Sequence, residues 1–66
     1  MNLQINGQSR DFSGPLSVQS LLQAMDLGER RVAVEVNQHI VPRSRHEQHL
    51  LAEGDQVEIV QAIGGG

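Results

Sequence analysis

Apolar and polar side chains alternate over residues 1–5, which is the period of a half-buried β-strand. Asn6-Gly7 follows, and this dipeptide favours a two-residue type I′ turn. Residues 8–12 then return as a second, more polar strand in which Phe12 is expected to face inward. The pattern therefore predicts a β-hairpin at the start of the fold.

A helical period follows the hairpin. Ser17 is the expected N-cap, and Leu16 and Leu21 occupy the positions of a hydrophobic staple. Gly28 is expected to end the helix in the left-handed conformation. Apolar residues recur at intervals of three and four, as in an amphipathic helix, at Val18, Leu21, Leu22 and Met25.

The second half of the chain predicts three more strands. Residues 32–36 alternate valine with other residues, Asn37-Gln38 is a plausible tight turn, and residues 39–41 form a short return strand that Pro42 stops. The last strand contains Val57 and Ile59.

The connection before the last strand is expected to contain one helical turn. Ser44 and Glu47 are spaced as in a capping box, which predicts a helical turn over residues 44–48. Leu50 and Leu51 are expected to attach this connection to the core, and residues 53–55 form a turn that Asp55 stabilises. The element order β-β-α-β-β-β, with one helix to cover one sheet face, predicts an α+β domain.

Composition narrows the functional class. A chain of 66 residues is one small domain, and with no cysteine it has neither disulfides nor thiolate metal ligands. A net charge of −3 and a single aromatic residue argue against nucleic-acid binding. No apolar run approaches the roughly 20 residues of a membrane span. We expect an intracellular, cytoplasmic protein.

The strongest candidate for chemistry is the end of the chain, Gly64-Gly65-Gly66, which directly follows the last predicted strand. A frayed terminus is the simplest interpretation of three glycines. However, a terminal carboxylate without neighbouring side chains is able to enter a narrow channel in another protein's active site. Because a carboxylate is unreactive until it is activated, that partner would first convert Gly66 to an electrophile such as an acyl adenylate.

No self-contained active site is evident elsewhere, so we expect a protein that is not an enzyme. His39, His46 and His49 lack the further ligands that zinc requires, and we interpret them as solvent-exposed. The acidic residues are spread along the chain as a solvated surface, with no evident general acid–base pair. We expect no bound cofactor and no metal.

One apolar surface is expected to remain uncovered. If Val57 and Ile59 face the helix, Val60 and Ala62 point to the opposite face, close to the glycines. Isolated exposed apolar residues are common, but a patch beside a reactive terminus suits docking to a partner. Arg43 and Arg45 are further candidates for the rim of this surface.

The most specific segments of the sequence are Val34-Glu35-Val36-Asn37, Ile40-Val41-Pro42-Arg43, residues 53–59 and Gly65-Gly66. With these segments the chain resembles the ubiquitin-like β-grasp sulfur carriers over essentially its whole length, and most closely the thiamine-biosynthesis sulfur carriers of the ThiS family. The valine-rich strand and the segment that ends in Arg43 favour this group over the small subunit of molybdopterin synthase.

The resemblance implies a mechanism and a set of partners. An E1-like adenylyltransferase would use ATP and magnesium to adenylate the carboxylate of Gly66, with Gly65 threading into its active site. Sulfur from a cysteine desulfurase would displace AMP to give a thiocarboxylate, which thiazole synthase would use. Ile63 and Gly64, with Ala62, Val60 and Arg43, would contact these partners.

The resemblance also implies a mixed β-sheet packed against one helix, with the domain over residues 1–63 and a flexible glycine tail over residues 64–66. The expected protein is a monomer that forms transient complexes. Two alternatives remain at this point: the small subunit of molybdopterin synthase, and a ubiquitin-like modifier or interaction module.

Overall fold

The structure, a computed structural model, describes residues 1–61. Within them the chain forms five strands, one α-helix and one turn of 3₁₀-helix. In chain order these are β1 (Asn2–Ile5), β2 (Gln8–Asp11), α1 (Val18–Ala24), β3 (Val32–Val36), β4 (His39–Val41), the 3₁₀ turn (Arg43–Arg45) and β5 (Gln56–Gln61). No helix in this part of the chain is long and apolar enough to cross a membrane.

The five strands form one mixed sheet in the order β2-β1-β5-β3-β4. β5, the last strand in sequence, lies at its centre. It runs parallel to β1 and antiparallel to β3, while the two hairpins β1–β2 and β3–β4 supply the remaining antiparallel pairs. The predicted order of elements and the α+β class are confirmed.

The helix covers one face of this sheet. Val18, Leu21 and Leu22 are buried, and Met25 is partly buried against the same cluster, as the helical period predicts. The sheet contributes alternate residues to the core, because successive side chains of a strand point to opposite faces. These buried strand residues are Leu3, Ile5, Val34, Val36, Val41, Val57 and Ile59.

The helix begins as predicted but ends differently. The backbone N–H of Ser20 donates to the Ser17 hydroxyl over 3.0 Å, so Ser17 is the N-cap. At the other end the left-handed residue is Asp26, with φ of 64°, and not Gly28. Leu27 N–H donates to Leu22 C=O over 2.7 Å, the bond of a Schellman motif, and Leu27 packs on the core.

Gly28 serves a different purpose, because a Cβ built there would lie 2.9 Å from Cγ of Gln23. The glycine allows the chain to pass close to the helix it has just left. Asp is among the few side chains that tolerate the left-handed conformation, which is why the helix ends before the glycine.

Both predicted tight turns are confirmed. Asn6 and Gly7 have φ of 50° and 84°, and Asn37 and Gln38 have φ of 51° and 69°. Two consecutive positive φ angles define the type I′ turn that matches the twist of a hairpin. Phe12 lies just beyond β2 and not within it, and packs partly buried against the core.

The connection between β4 and β5 corrects two predictions. The helical turn spans Arg43–Arg45 and has Pro42 at its N-cap, with no side-chain capping bond, so the capping box of Ser44 and Glu47 is wrong. Leu51 is buried at 6% exposure, but Leu50 is 67% exposed. Leu50 forms a β-bridge with Ser17, and neighbouring residues of such an extended segment point in opposite directions.

Candidate functional site

β5 is the strand that leads into residues 62–66, and it is paired on both sides. Five residues of β3 pair with it, from Val36 opposite Val57 to Val32 opposite Gln61. β1 pairs with only its first part, at Gln56 and Val57. In the second half of β5, backbone pairing with a neighbouring strand is therefore made with β3 alone. One side chain from the first hairpin turn also forms hydrogen bonds with this half of the strand.

That side chain belongs to Asn6. Its Oδ1 accepts from the backbone N–H of Ile59 over 2.8 Å, and its Nδ2 donates to the Ile59 carbonyl over 3.1 Å. Its own backbone N–H donates to the carbonyl of Val57 over 2.9 Å. The side-chain amide carries the same donor and acceptor as a peptide group, so Asn6 extends the β1–β5 ladder by one rung.

A second asparagine holds the beginning of β5. The Oδ1 of Asn37 accepts from the backbone N–H of Gln56 over 3.0 Å, and its Nδ2 donates to Asp55 Oδ1 over 2.9 Å. The other carboxylate oxygen of Asp55 accepts from Ala52 N–H over 2.8 Å, which closes the turn before the strand. The predicted role of Asp55 in this turn is confirmed, and side chains bond to β5 at its first residue, Gln56, and at Ile59.

No element within residues 1–61 covers the sheet face away from the helix, and in this part of the chain that face carries two large exposed apolar side chains. Val60 is 63% exposed on β5 and Ile40 is 74% exposed on β4. Ala33, also exposed, lies directly opposite Val60 on β3. The prediction that Val60 points away from the core is confirmed, whereas Ile40 was not identified from the sequence. The available signal was its place next to Val41 in the strand, because the neighbour of a buried strand residue points to the opposite face.

Two carboxylates lie on the same face. Glu35 of β3 is directly opposite Glu58 of β5, and Glu35 is also opposite Ile40 on the other side. The sequence pattern presented these acids as scattered surface charges, because their proximity arises only when β3 and β5 are paired. We call Glu35, Glu58, Ile40, Val60 and Ala33 the docking face, after the partner binding that the sequence predicts for Val60.

Arg43 is exposed but is not adjacent to Val60. It lies on the 3₁₀ turn that follows the edge strand β4, and β4 is separated from β5 by β3. With about 4.8 Å between neighbouring strands, the two strands are roughly 10 Å apart. Arg45, on the same turn, lines a shallow groove at the β4 edge together with His39, Gln48 and His49.

The histidines correct one prediction. His46 is only 4% exposed, and its Nε2 lies 3.0 Å from the Val41 carbonyl, to which it donates. The ring fills the space between the 3₁₀ turn and β4, so it is a core side chain and not a solvated one. His39 is exposed and His49 half-buried. Among residues 1–61 no group of three or more His, Cys, Asp or Glu side chains is placed to hold a metal ion.

The residues expected to carry the chemistry lie outside the described residues. These are Ala62, Ile63, Gly64, Gly65 and Gly66. What the structure provides is the strand from which they continue, the contacts that hold that strand, and the docking face beside it.

The fold and this arrangement define a class of protein: a ubiquitin-like β-grasp domain whose central last strand leads to the C-terminal residues. A thiamine biosynthesis protein (ThiS) from Geobacter metallireducens has the same fold, with a TM-score of 0.85 and 33% identity over all of both chains. The model described as the ThiS family matches residues 3–66. The chain belongs to the ThiS family.

Sequence relatives agree with this assignment. The sulfur carrier protein ThiS of Escherichia coli is 35% identical over 66 residues, which is all of both chains. The thiazole synthase of Paramagnetospirillum magneticum is 47% identical over the same 66 residues, but the chain spans only 20% of that protein's length. A second thiazole synthase, from Magnetococcus marinus, is 33% identical and is likewise matched over 20% of its length.

Proposed function

We propose that this protein carries sulfur for the thiazole moiety of thiamine, on the carboxylate of Gly66. An E1-like adenylyltransferase joins that carboxylate to the α-phosphorus of ATP, with magnesium, and pyrophosphate leaves. The terminal sulfur of a persulfide, supplied by a cysteine desulfurase, then attacks the acyl carbon, and AMP leaves. A thiol reduces the acyl disulfide so formed and releases the thiocarboxylate. The thiocarboxylate gives its sulfur to thiazole synthase in the cytoplasm, and its acyl carbon takes up an oxygen atom from the substrate or from water, which restores the plain carboxylate. The protein acts as a co-substrate of these enzymes.

The observation that carries the proposal is the family match, which extends to residue 66 and so includes the terminal glycines. The two thiazole synthases that contain a related segment support thiazole synthase as the recipient of the sulfur. This relationship also favours the thiazole role over the molybdopterin alternative.

The position of β5 supports the partner contacts that we propose. Val60 is exposed immediately before the end of this strand, so a partner that binds the terminal residues also reaches Val60. We place Ala62, Ile63 and Gly64 in the same contact, with Gly65 entering the active site ahead of Gly66. We place Arg43 at the outer rim of this contact, on the turn after the edge strand β4, where an exposed arginine suits acidic side chains of a partner.

The experiment is reconstituted thiazole formation with variants of the terminus. Deleting Gly66, or extending the chain beyond it with an uncleavable segment, is expected to abolish product. The same variants should unfold at the temperature of the wild-type protein, because the buried core seen in residues 1–61 runs from Leu3 to Ile59. A chain of unchanged length with Gln8→Ala, an exposed change on the edge strand β2, is the matched control and should support full activity. Product formation by the extended chain would contradict the proposal.

A further inference from the structure

Glu35 of β3 and Glu58 of β5 are directly opposite each other on the exposed sheet face. Directly opposite residues on neighbouring antiparallel strands have their Cβ atoms roughly 4.5–5.5 Å apart, and like charges in these positions are destabilising. Glu58 is exposed and Glu35 is half-buried. Four of the five arginines lie outside the strands, and Arg10 of β2 is directly opposite buried Leu3, on the helix side of the sheet. The strands therefore offer no arginine on the face that carries the two carboxylates.

Apolar side chains flank the two acids. Ile40 lies on the β4 side, directly opposite Glu35, and Val60 lies two residues beyond Glu58 on the same face of β5. At 74% and 63% exposure, these are two of the three most exposed large apolar residues among those the structure describes. Exposed apolar side chains and two like charges therefore lie on the same surface. One bound protein could cover the apolar side chains and also neutralise the charges.

Given the sulfur-carrier role proposed above, we infer that the docking face binds thiazole synthase, which contacts Ile40 and Val60 with apolar side chains and places an arginine or lysine between Glu35 and Glu58. A guanidinium or ammonium group there neutralises the repulsion and forms charge-assisted hydrogen bonds with both carboxylates. Thiazole synthase is the chosen occupant because two such enzymes contain a segment related to this chain, so that a carrier-like segment and the enzyme belong to one polypeptide there.

The test is the dissociation constant for cognate thiazole synthase, measured by isothermal titration calorimetry at low and high salt. The variant Glu35→Gln/Glu58→Gln removes both charges and keeps the shape of the side chains. At low salt its dissociation constant should be roughly tenfold higher or more, because the cation of thiazole synthase would be left without its carboxylates. The dissociation constant should also lose most of its dependence on salt. Its melting temperature should equal or exceed that of the wild-type protein, since the repulsion is gone.

The matched control is Glu29→Gln/Glu47→Gln, which changes the net charge by the same amount at exposed positions outside the sheet. Its affinity should stay within about twofold of the wild-type value. Equal affinity and equal salt dependence for the Glu35/Glu58 variant and the wild type would overturn the inference. The inference would also be overturned if this variant lost affinity for the adenylyltransferase and bound thiazole synthase as tightly as the wild type does. If the wild-type protein failed to bind thiazole synthase at all, the sulfur-carrier role itself would be wrong.

Discussion

Asn6 is the side chain on which the far half of β5 most depends, and replacing it tests this directly. In Asn6→Gly the turn keeps a residue that adopts φ of 50° readily, so the backbone is not strained. What is lost is the pair of partly buried hydrogen bonds to the N–H and C=O of Ile59. With about 1 kcal/mol per bond, the free energy of unfolding should fall by about 2 kcal/mol.

That loss is large for a domain of this size. A total stability of roughly 3–10 kcal/mol is expected for a chain of 66 residues. A decrease of about 2 kcal/mol should lower the melting temperature by roughly 8–16 °C. Circular dichroism during thermal and urea unfolding measures this change, and amide hydrogen exchange by NMR should show faster exchange at Ile59.

Asn2 provides the control. Its side chain also donates two hydrogen bonds, to Ser9 and Asp11, but both are exposed at the edge of the sheet. Asn2→Ala should therefore cost only about 0.5 kcal/mol. Suppose that Asn6→Gly destabilised the protein no more than Asn2→Ala, and that the amide of Ile59 kept its slow hydrogen exchange. The hydrogen bonds between Asn6 and Ile59 would then not be a source of stability.

Four further substitutions test the core, a turn and the exposed sheet face. Leu21→Ala and Val34→Ala each remove a fully buried side chain from the core. In urea unfolding they should lower the free energy of unfolding by about 2–5 and about 1–3 kcal/mol, respectively. An unchanged melting temperature would refute these core positions. Gln38→Gly should stabilise the protein by about 1 kcal/mol, because Gln38 has φ of 69°; a loss of stability would show that its side chain contributes contacts. Val60→Asp should weaken partner binding with little effect on folding, whereas unfolding with normal binding by the folded fraction would place Val60 in the core.

The elements with strong local signals were predictable from sequence. The two type I′ turns follow from asparagine at the first position, and the helix start follows from the Ser17 cap. The ends of elements were less predictable, since both Asp26 and Gly28 satisfy the local requirement for a left-handed residue. Only packing against Gln23 shows why the glycine is needed where it stands.

The candidate site was predictable in part, for a similar reason. Alternation along β5 placed Val60 outward, which requires only the strand itself. The opposition of Glu35 and Glu58 depends on how β3 pairs with β5, and these strands are separated by 19 residues of connecting chain (37–55). Likewise, nothing in the sequence around Asn6 shows that its amide reaches Ile59. Long-range pairing, not local pattern, creates these features.

The burial of His46 has the same origin. Its neighbours in sequence are charged or polar, so the local pattern indicates an exposed position. The ring becomes buried because the 3₁₀ turn folds back and the Val41 carbonyl accepts its N–H.

The most direct test of the sulfur-carrier proposal is the intact mass of the protein, purified without a C-terminal tag from cells starved of thiamine. The proposal predicts a fraction heavier by the difference between one sulfur and one oxygen atom, with the extra mass located on Gly66 by fragmentation. The fraction should disappear when the adenylyltransferase is absent. If only the plain carboxylate were found, even after incubation with an E1-like enzyme, ATP and a sulfur source, Gly66 would not be a sulfur carrier.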